Sequence, residues 1–429
     1  MGLTQAIVSL QAAATATTQD FISSGFGTPT ACIVFATGGG QDAFTTHGVM
    51  SVGTYDGTNQ QAISMGTEDG TAASAISARS DAADGDVVYH KYNGTLRRSA
   101  SAAFIDGGVQ LTWDTAGTRP WVTVWFFKGA TAVHADWADP HITVDNAVTV
   151  TTTGVDPTLI FFATNKQAAL GSGVADATMS IGFAYDNGAS IENLCAAWNS
   201  DSADPTDTNA QIFDGTAGAG NRCGAALNSG GNPSPGIQCT AMGTDDFDVT
   251  TRDSGGTAMG FVYLALEITE TVETFAVTTP TSAGDWDPFA ASITPQCMMM
   301  TGVRLTSFNT NTTGSVGTES FSVYMANDEA TIQEAGHMVV VESGVAGASI
   351  VQSESEQSSR FKLGSMSGGA ESVDFAANNP TFDASGAVFP NANVDEDTTA
   401  YTVVGFFIEE PTATGNPTMV RTMMEGLMQ

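Results

Sequence analysis

The densest set of potential metal ligands in the chain is His134-Ala-Asp-Trp-Ala-Asp-Pro-His141. His134, Asp136, Asp139 and His141 carry the imidazole and carboxylate groups that hold a divalent ion. The competing and favoured reading of the same residues is an acidic interdomain linker anchored by Trp137. The remaining histidines, His47, His90 and His337, are scattered singly. General-base and nucleophilic catalysis need a base oriented toward a partner group, and neither a GxSxG elbow nor an HExxH pair occurs to supply one. Thr37-Gly-Gly-Gly40 follows an apolar run as phosphate loops do, but it lacks the lysine and helix of a Walker motif and reads as a turn. Glu68-Asp69 and Asp395-Glu-Asp397 could be drafted as a glycosidase pair, yet 46 acidic residues make such pairs expected by chance. Trp137, Trp198 and Trp286 fall outside the apparent core strands, where an indole is either a sugar platform or an interdomain contact. The expectation is a non-enzymatic protein with no catalytic residues and no cofactor. Calcium bridging of acidic loops stays open, although no loop has EF-hand spacing.

Charge and cysteine usage narrow the surroundings. Thirteen basic residues face 46 acidic ones, a formal net charge of −33, and such a surface repels phosphate backbones. Nucleic acid is therefore not expected as a partner. The five cysteines form no CxxC pair, and an odd number is a poor disulfide framework. Cys32 and Cys297 lie inside apolar runs as small buried hydrophobes, and whether Cys223 and Cys239 pair locally is left open. The opening Met-Gly-Leu-Thr-Gln-Ala-Ile-Val-Ser-Leu has no basic n-region, so no secretory signal is read and synthesis in a host cytoplasm is expected. No run is long enough to suggest insertion into a membrane.

The elements that would position any of these groups repeat. A length of 429 residues suggests about three domains, and three blocks align on three landmarks. The first is a proline before an apolar run: Pro29 before Ala31–Thr37, Pro157 before Leu159–Thr164, Pro295 before Cys297–Thr301. Proline is tolerated at a strand's first residue, and an unbroken apolar run fits a strand buried on both faces or one in a sandwich core. The second is an alternating strand ending in a turn, Val49–Gly57, Thr178–Gly188 and Phe321–Asp328. The third is an aromatic, β-branched strand, Trp121–Phe127, Gly260–Leu266 and Tyr401–Ile408. The prediction is an all-β chain of three tandem antiparallel β-sandwich, jelly-roll-like domains over residues 1–134, 142–269 and 273–410. Linkers fall near His134–Asn146 and Glu267–Glu273. Helix is expected only as short pieces in the first eighteen residues and in Met419–Met428. Residues 411–429 form a Met-rich docking tail, with Met419, Val420, Met423, Met424, Leu427 and Met428 facing a neighbouring chain.

The first block, from Phe21-Ile-Ser-Ser-Gly-Phe-Gly-Thr-Pro-Thr-Ala through Ser51-Val-Gly-Thr-Tyr-Asp-Gly-Thr-Asn-Gln-Gln-Ala-Ile-Ser, resembles repeated β domains of tailed-phage virion proteins. Block two keeps the entry and an altered hairpin, Ser180-Ile-Gly-Phe-Ala-Tyr-Asp-Asn-Gly, and block three only the strand pattern. The resemblance implies a structural component on the virion exterior: a tail fibre, spike or baseplate appendage that can bind the host surface, or alternatively a capsid decoration protein. Its partners would be other copies of itself, other virion proteins and a cell-surface glycan. Rigid tandem sandwiches would make an extended rod or arm. A free carbohydrate-binding module array is the reading from another class, and a polysaccharide depolymerase the enzymatic one.

Overall fold

The computed structural model describes residues 2–411 other than 39–46, 69–75, 81–84, 93–94, 115, 141–142, 167–172, 201–207, 219, 229, 254–258, 315–319, 328–335, 343–350, 356–359, 368–369, 379, 385 and 393–398. The described residues form strands and turns with no helix. The first unit contains β1 (Thr4–Gln11), β2 (Thr18–Ile22), β3 (Ala31–Thr37), β4 (His47–Tyr55), β5 (Gln60–Glu68), β6 (Ile76–Arg79), β7 (Val88–Tyr92), β8 (Thr95–Ile105), β9 (Gly108–Trp113) and β10 (Trp121–Lys128). The second contains β11 (Ala132–Ala138), β12 (Ala147–Thr151), β13 (Leu159–Asn165), β14 (Gly173–Ala175), β15 (Ala177–Asp186), β16 (Ile191–Ser200), β17 (Thr208–Phe213), β18 (Gly224–Leu227), β19 (Pro233–Gly243), β20 (Asp246–Thr251) and β21 (Gly260–Glu267). The third contains β22 (Val272–Thr278), β23 (Gly284–Ala290), β24 (Pro295–Val303), β25 (Asn311–Gly314), β26 (Ser320–Asn327), β27 (Gly336–Glu342), β28 (Val351–Ser355), β29 (Arg360–Ser367), β30 (Ala370–Asn378), β31 (Thr381–Asp383), β32 (Gly386–Ala392) and β33 (Thr402–Glu409).

Each unit is a two-sheet antiparallel sandwich. The large sheets run β1-β10-β3-β4-β5-β6, β11-β21-β13-β15-β16-β17 and β22-β33-β24-β26-β27-β28. The small sheets are β2-β9-β8-β7, β12-β20-β19-β18 and, in the third unit, β23-β32-β31 beside the β29-β30 ribbon. The recurring landmarks of the sequence are thus the three central strands of each large sheet. In the first unit the chain crosses between the two sheets at β1–β2, β2–β3, β6–β7 and β9–β10.

Burial explains why those strands read as unbroken apolar runs. Every residue of β3 and β13 is buried, and successive side chains go to opposite faces. In the first unit Ala31, Ile33 and Phe35 enter one core while Cys32, Val34 and Ala36 enter another. The second core lies between the two sheets of the sandwich. The first is shared: Trp125 and Phe35 meet Phe161, Phe183 and Trp198 of the second unit and Met299, Phe321 and Phe406 of the third in a single cluster. The Phe183 and Phe406 rings lie 4.8 Å apart edge to face, and Trp125 stacks on Phe406 at 6.3 Å. The large sheets are therefore covered on both faces, by their own small sheet and by the other two large sheets.

The Ser-x-Gly element of the second landmark also has a packing cause. Ser51 Oγ accepts a hydrogen bond from Tyr89 N at 2.9 Å and Ser180 Oγ one from Ala225 N at 2.9 Å, each tying a large sheet to the small sheet above it. Two residues on, a Cβ at Gly53 would lie 2.0 Å from the Val87 carbonyl oxygen, and one at Gly182 2.3 Å from that of Cys223. Only glycine lets the sheets approach so closely. In the third unit Tyr324 occupies this position, and its ring lies against Phe361 and Phe389.

Several expectations are corrected. The sandwiches are not strung out as a rod; they close around the shared core. Residues 4–11 and 18–22 form edge strands instead of a helix, because β1 alternates against β10 and buries Ile7 on one side and Ala6 on the other. The first unit passes to the second at residues 129–131, ahead of the linker expected near His134–Asn146, since β11 pairs with β21 along its whole length. Cys223 and Cys239 are free, as are the other three cysteines. Trp198 and Trp286 are core residues, in β16 and β23.

Candidate functional site

The features with the most elaborate polar chemistry lie where the units meet. At the first seam β14, in the loop after the second unit's opening strand, adds antiparallel to the edge strand β6 of the first unit, with Gly173 opposite Ala78 and Ala175 opposite Ile76. At the second seam β25, in the same loop of the third unit, adds to β17, with Thr208 opposite Gly314. Each unit thereby covers the open edge of the one before it, which removes a template for unwanted pairing. The third unit's edge strand β28 lies beside β4 of the first, so the arrangement turns back on itself.

Buried side chains lock these edges. Asn165, fully buried at the end of β13, donates from Nδ2 to the carbonyls of Ser64 (3.2 Å) and Ala78 (2.8 Å). Ser77 Oγ donates to the Asp176 carbonyl at 2.8 Å and accepts from Thr178 N at 3.0 Å. Asn309, held at φ 57°, donates from its backbone to Ile212 O and from Nδ2 to Asp214 Oδ1, both at 2.8 Å. The opposite edges, β1, β11 and β22, are capped by side chains across each seam: Leu3 N donates to Glu270 at 2.6 Å, Ala135 N to Asp56 at 2.9 Å and Val272 N to Tyr185 Oη at 3.4 Å.

Of the candidate metal ligands, His134 and Asp136 lie in β11 and Asp139 just after it. His134 lies in β11 with Nδ1 3.8 Å from Asp56 Oδ2 of the first unit, and its ring is 6.0 Å from that of Tyr263. Asp136 turns back to accept from Trp137 N at 2.8 Å, and Asp139 accepts from Trp137 Nε1 at 3.0 Å. His141 lies outside the described residues. Among the described residues no group of three or more His, Cys, Asp or Glu side chains converges as metal ligands would. His134 instead lies at the seam between the first two units, on a strand of the second unit's large sheet. Met419, Val420, Met423, Met424, Leu427 and Met428 of the tail, Asp69, Asp395-Glu-Asp397 and Gly39–Gly40 lie outside the described residues as well. Burial pushes the cysteine thiols up, Cys223 to about 12, which makes them poor nucleophiles.

A cleft of about 500 Å³ opens at the second seam. Its walls are Ser190–Glu192 and Leu194 from the β15–β16 hairpin and β16, Asp214–Ala217 and Asn221 from the loop after β17, and Thr274–Ala276 of β22. Glu192 spans it, accepting from Asn187 Nδ2 at 2.8 Å and from Thr274 Oγ1. Asp214 Oδ1 accepts from Thr216 N, Thr216 Oγ1 and Asn309 Nδ2 at 2.8–3.0 Å. Burial works to raise the Asp214 pKa, but the bonds from Asn309 and Thr216 outweigh it and hold the carboxyl below its ordinary value. Sequence reading missed this cleft and the seam residues Asn165, Asp56 and Asn309. Asp56 and Asp186 signalled hairpin turns, but nothing local marks which unit a turn faces.

No family model, curated protein or solved structure matches this chain.

Proposed function

We propose that the protein is a non-enzymatic structural component of the exterior of a bacteriophage particle, carried as a compact block on a tail appendage and able to contact the host surface. The observation that supports this reading best is the closure of three sandwiches by strand addition around one shared core, a construction suited to a rigid building block. The resemblance of the first block to tailed-phage virion domains points the same way. So does a net charge of −33, which opposes contact with packaged DNA. Compactness favours a second placement within the same class, decoration of the capsid surface, over a fibre shaft. Other copies of the chain and other virion proteins would be its partners, and it would reach the particle from the host cytoplasm.

Antibodies raised against the purified chain, used for immunogold labelling of intact particles from producing cells, test this directly. Gold on tail tips or on capsids is expected and separates the two placements. Recovery of the chain only in particle-free fractions refutes both.

A further inference from the structure

We propose that one end of the first unit is a docking surface for the acidic surface of a neighbouring copy of this chain. The inference rests on the reading above, in which other copies are partners, and names the surface through which they meet. Charge is unevenly divided among the units. Residues 1–128 hold six basic and ten acidic side chains, a balance of −4, whereas residues 132–267 hold three and sixteen, −13, and residues 272–409 three and seventeen, −14. In the second unit every base is paired with a carboxylate: Lys166 with Asp176, Arg222 with Asp253 and Arg252 with Asp145, at 2.8–3.0 Å. The first unit instead gathers its cations at one place. Lys91, Arg97, Arg98 and Arg119 lie on the β7–β8 hairpin and the loop between β9 and β10. The loop comes against the hairpin at Gly117, where a Cβ would lie 3.2 Å from the Arg97 carbonyl oxygen.

Two of these arginines close on one stretch of backbone. Arg98 Nη2 donates to the carbonyls of Ala13 (2.7 Å) and Thr15 (3.0 Å), and Arg119 Nε to that of Ala12 (2.9 Å). Arg98 is fully buried with its guanidinium 4.7 Å from the centre of the Trp113 ring, and its Nε and Nη1 meet no acceptor among the described residues. Burial first, and the charge of Arg119 second, lower the Arg98 pKa, with Asp114 opposing. Neither Arg98 nor Arg119 forms an ion pair among the described residues. Exposed Arg119 and half-buried Arg97 bring the positive charge to the surface. Like charges held together without a carboxylate, in a chain that has 46 of them, are complementary to a carboxylate supplied from outside the chain. Apolar surface accompanies the charge. The exposed large hydrophobic side chains among the described residues, Leu10, Ile22 and Leu96, all belong to the first unit. Leu96 adjoins Arg97, and Leu10 stands two residues before Ala12; arginine beside apolar contact is the composition of an interface core. Copies that each carry −33 repel one another, and contact through the least acidic unit adds the least repulsion. The contact is heterologous, first unit onto second or third, and therefore repeats from copy to copy.

Light scattering on the full chain, with concentration and salt varied, reads the association. Raising salt from about 0.1 M to about 1 M shortens the Debye length from about 10 Å to about 3 Å. Pairing of opposite charges weakens over this range, whereas association limited only by the general repulsion strengthens. The expected result is association that falls as salt rises and that Arg119→Glu weakens about tenfold or more, with thermal unfolding to verify that the variant folds. Arg119→Lys supplies an amine at the same place for zero-length carbodiimide coupling in a mixture of light-nitrogen and heavy-nitrogen copies. Cross-links of mixed isotope from position 119 to aspartates or glutamates within residues 132–409 are expected. Association that grows with salt, association unchanged in folded Arg119→Glu, or cross-links confined to a single chain overturns the proposal. So does a chain that stays monomeric throughout; heparin binding by the native protein and not by Arg119→Glu would then identify an anionic glycan as the occupant. Particle labelling reports separately: mixed cross-links without gold on particles refute the virion reading alone, and gold on particles without mixed cross-links refutes this docking alone.

Discussion

Replacing Phe406 with alanine tests whether the shared core unites the three sandwiches. Phe406 is 3% exposed and contacts Trp125 of the first unit and Phe183 of the second. Removing a buried phenylalanine ring costs about 3–5 kcal/mol, to which each lost aromatic pair contributes about 0.5–1.5 kcal/mol. The consequence for thermal stability depends on how much of the chain unfolds together. Unfolding entropy near about 2.1 cal/mol/K per residue makes the slope of the transition proportional to the size of the cooperative unit. If all 429 residues melt as one, the midpoint falls by about 3–6 °C. If the third sandwich melts alone, as beads on a string would, its midpoint falls by about 10–17 °C and the others stay in place. Scanning calorimetry on both proteins, with tryptophan fluorescence to report Trp125 and Trp198 outside the mutated unit, distinguishes these outcomes. The shared core requires a single transition displaced by the smaller amount, in both signals. A split transition, with fluorescence of the first two units unmoved, refutes it.

Three further outcomes follow from the same geometry. Gly182→Ala places a methyl 2.3 Å from the Cys223 carbonyl and is expected to cost about 1–3 kcal/mol by overpacking, read as a lower urea midpoint with unchanged slope; an unchanged midpoint would mean the sheets can part freely there. All five cysteines are buried, and burial disfavours their thiolates, so a disulfide reagent at pH 8 is expected to label none in the native protein and five after denaturation in guanidinium; rapid native labelling would contradict the packing. Asp214 has a folded pKa below its ordinary 3.8, so its stabilisation is present above that value and is lost as pH falls through the depressed one. Asp214→Asn should therefore lower the melting temperature at pH 7 by more than it does at pH 3, and a deficit that grows on acidification would reverse the sign of this account.

The sequence by itself determined the class and the unit. Proline before an apolar run, alternation ending at Asp-Gly, and aromatic β-branched strands are local signals, because turn chemistry and side-chain period are written into a few adjacent residues. Those signals located β3, β4 and β10 and their counterparts in the other units, but the alternation of the second landmark read as a half-buried strand, whereas β15 and β26 are buried on both faces. They misjudged β1 and β2, whose strand character comes from pairing with β10 and β9 more than a hundred and about ninety residues away respectively. What covers the second face of each large sheet was decided only in three dimensions. Ile33, Phe161 and Met299 look alike whether they face a small sheet, solvent-shielding loops or one another, since hydrophobicity has no direction or address. The seams follow the same rule: Asn165 is one asparagine among many until β5 and β6 of another unit present it with two carbonyls. The cleft exists because a longer hairpin in one unit meets β22 of the next, a relation between positions more than eighty residues apart that no local pattern records.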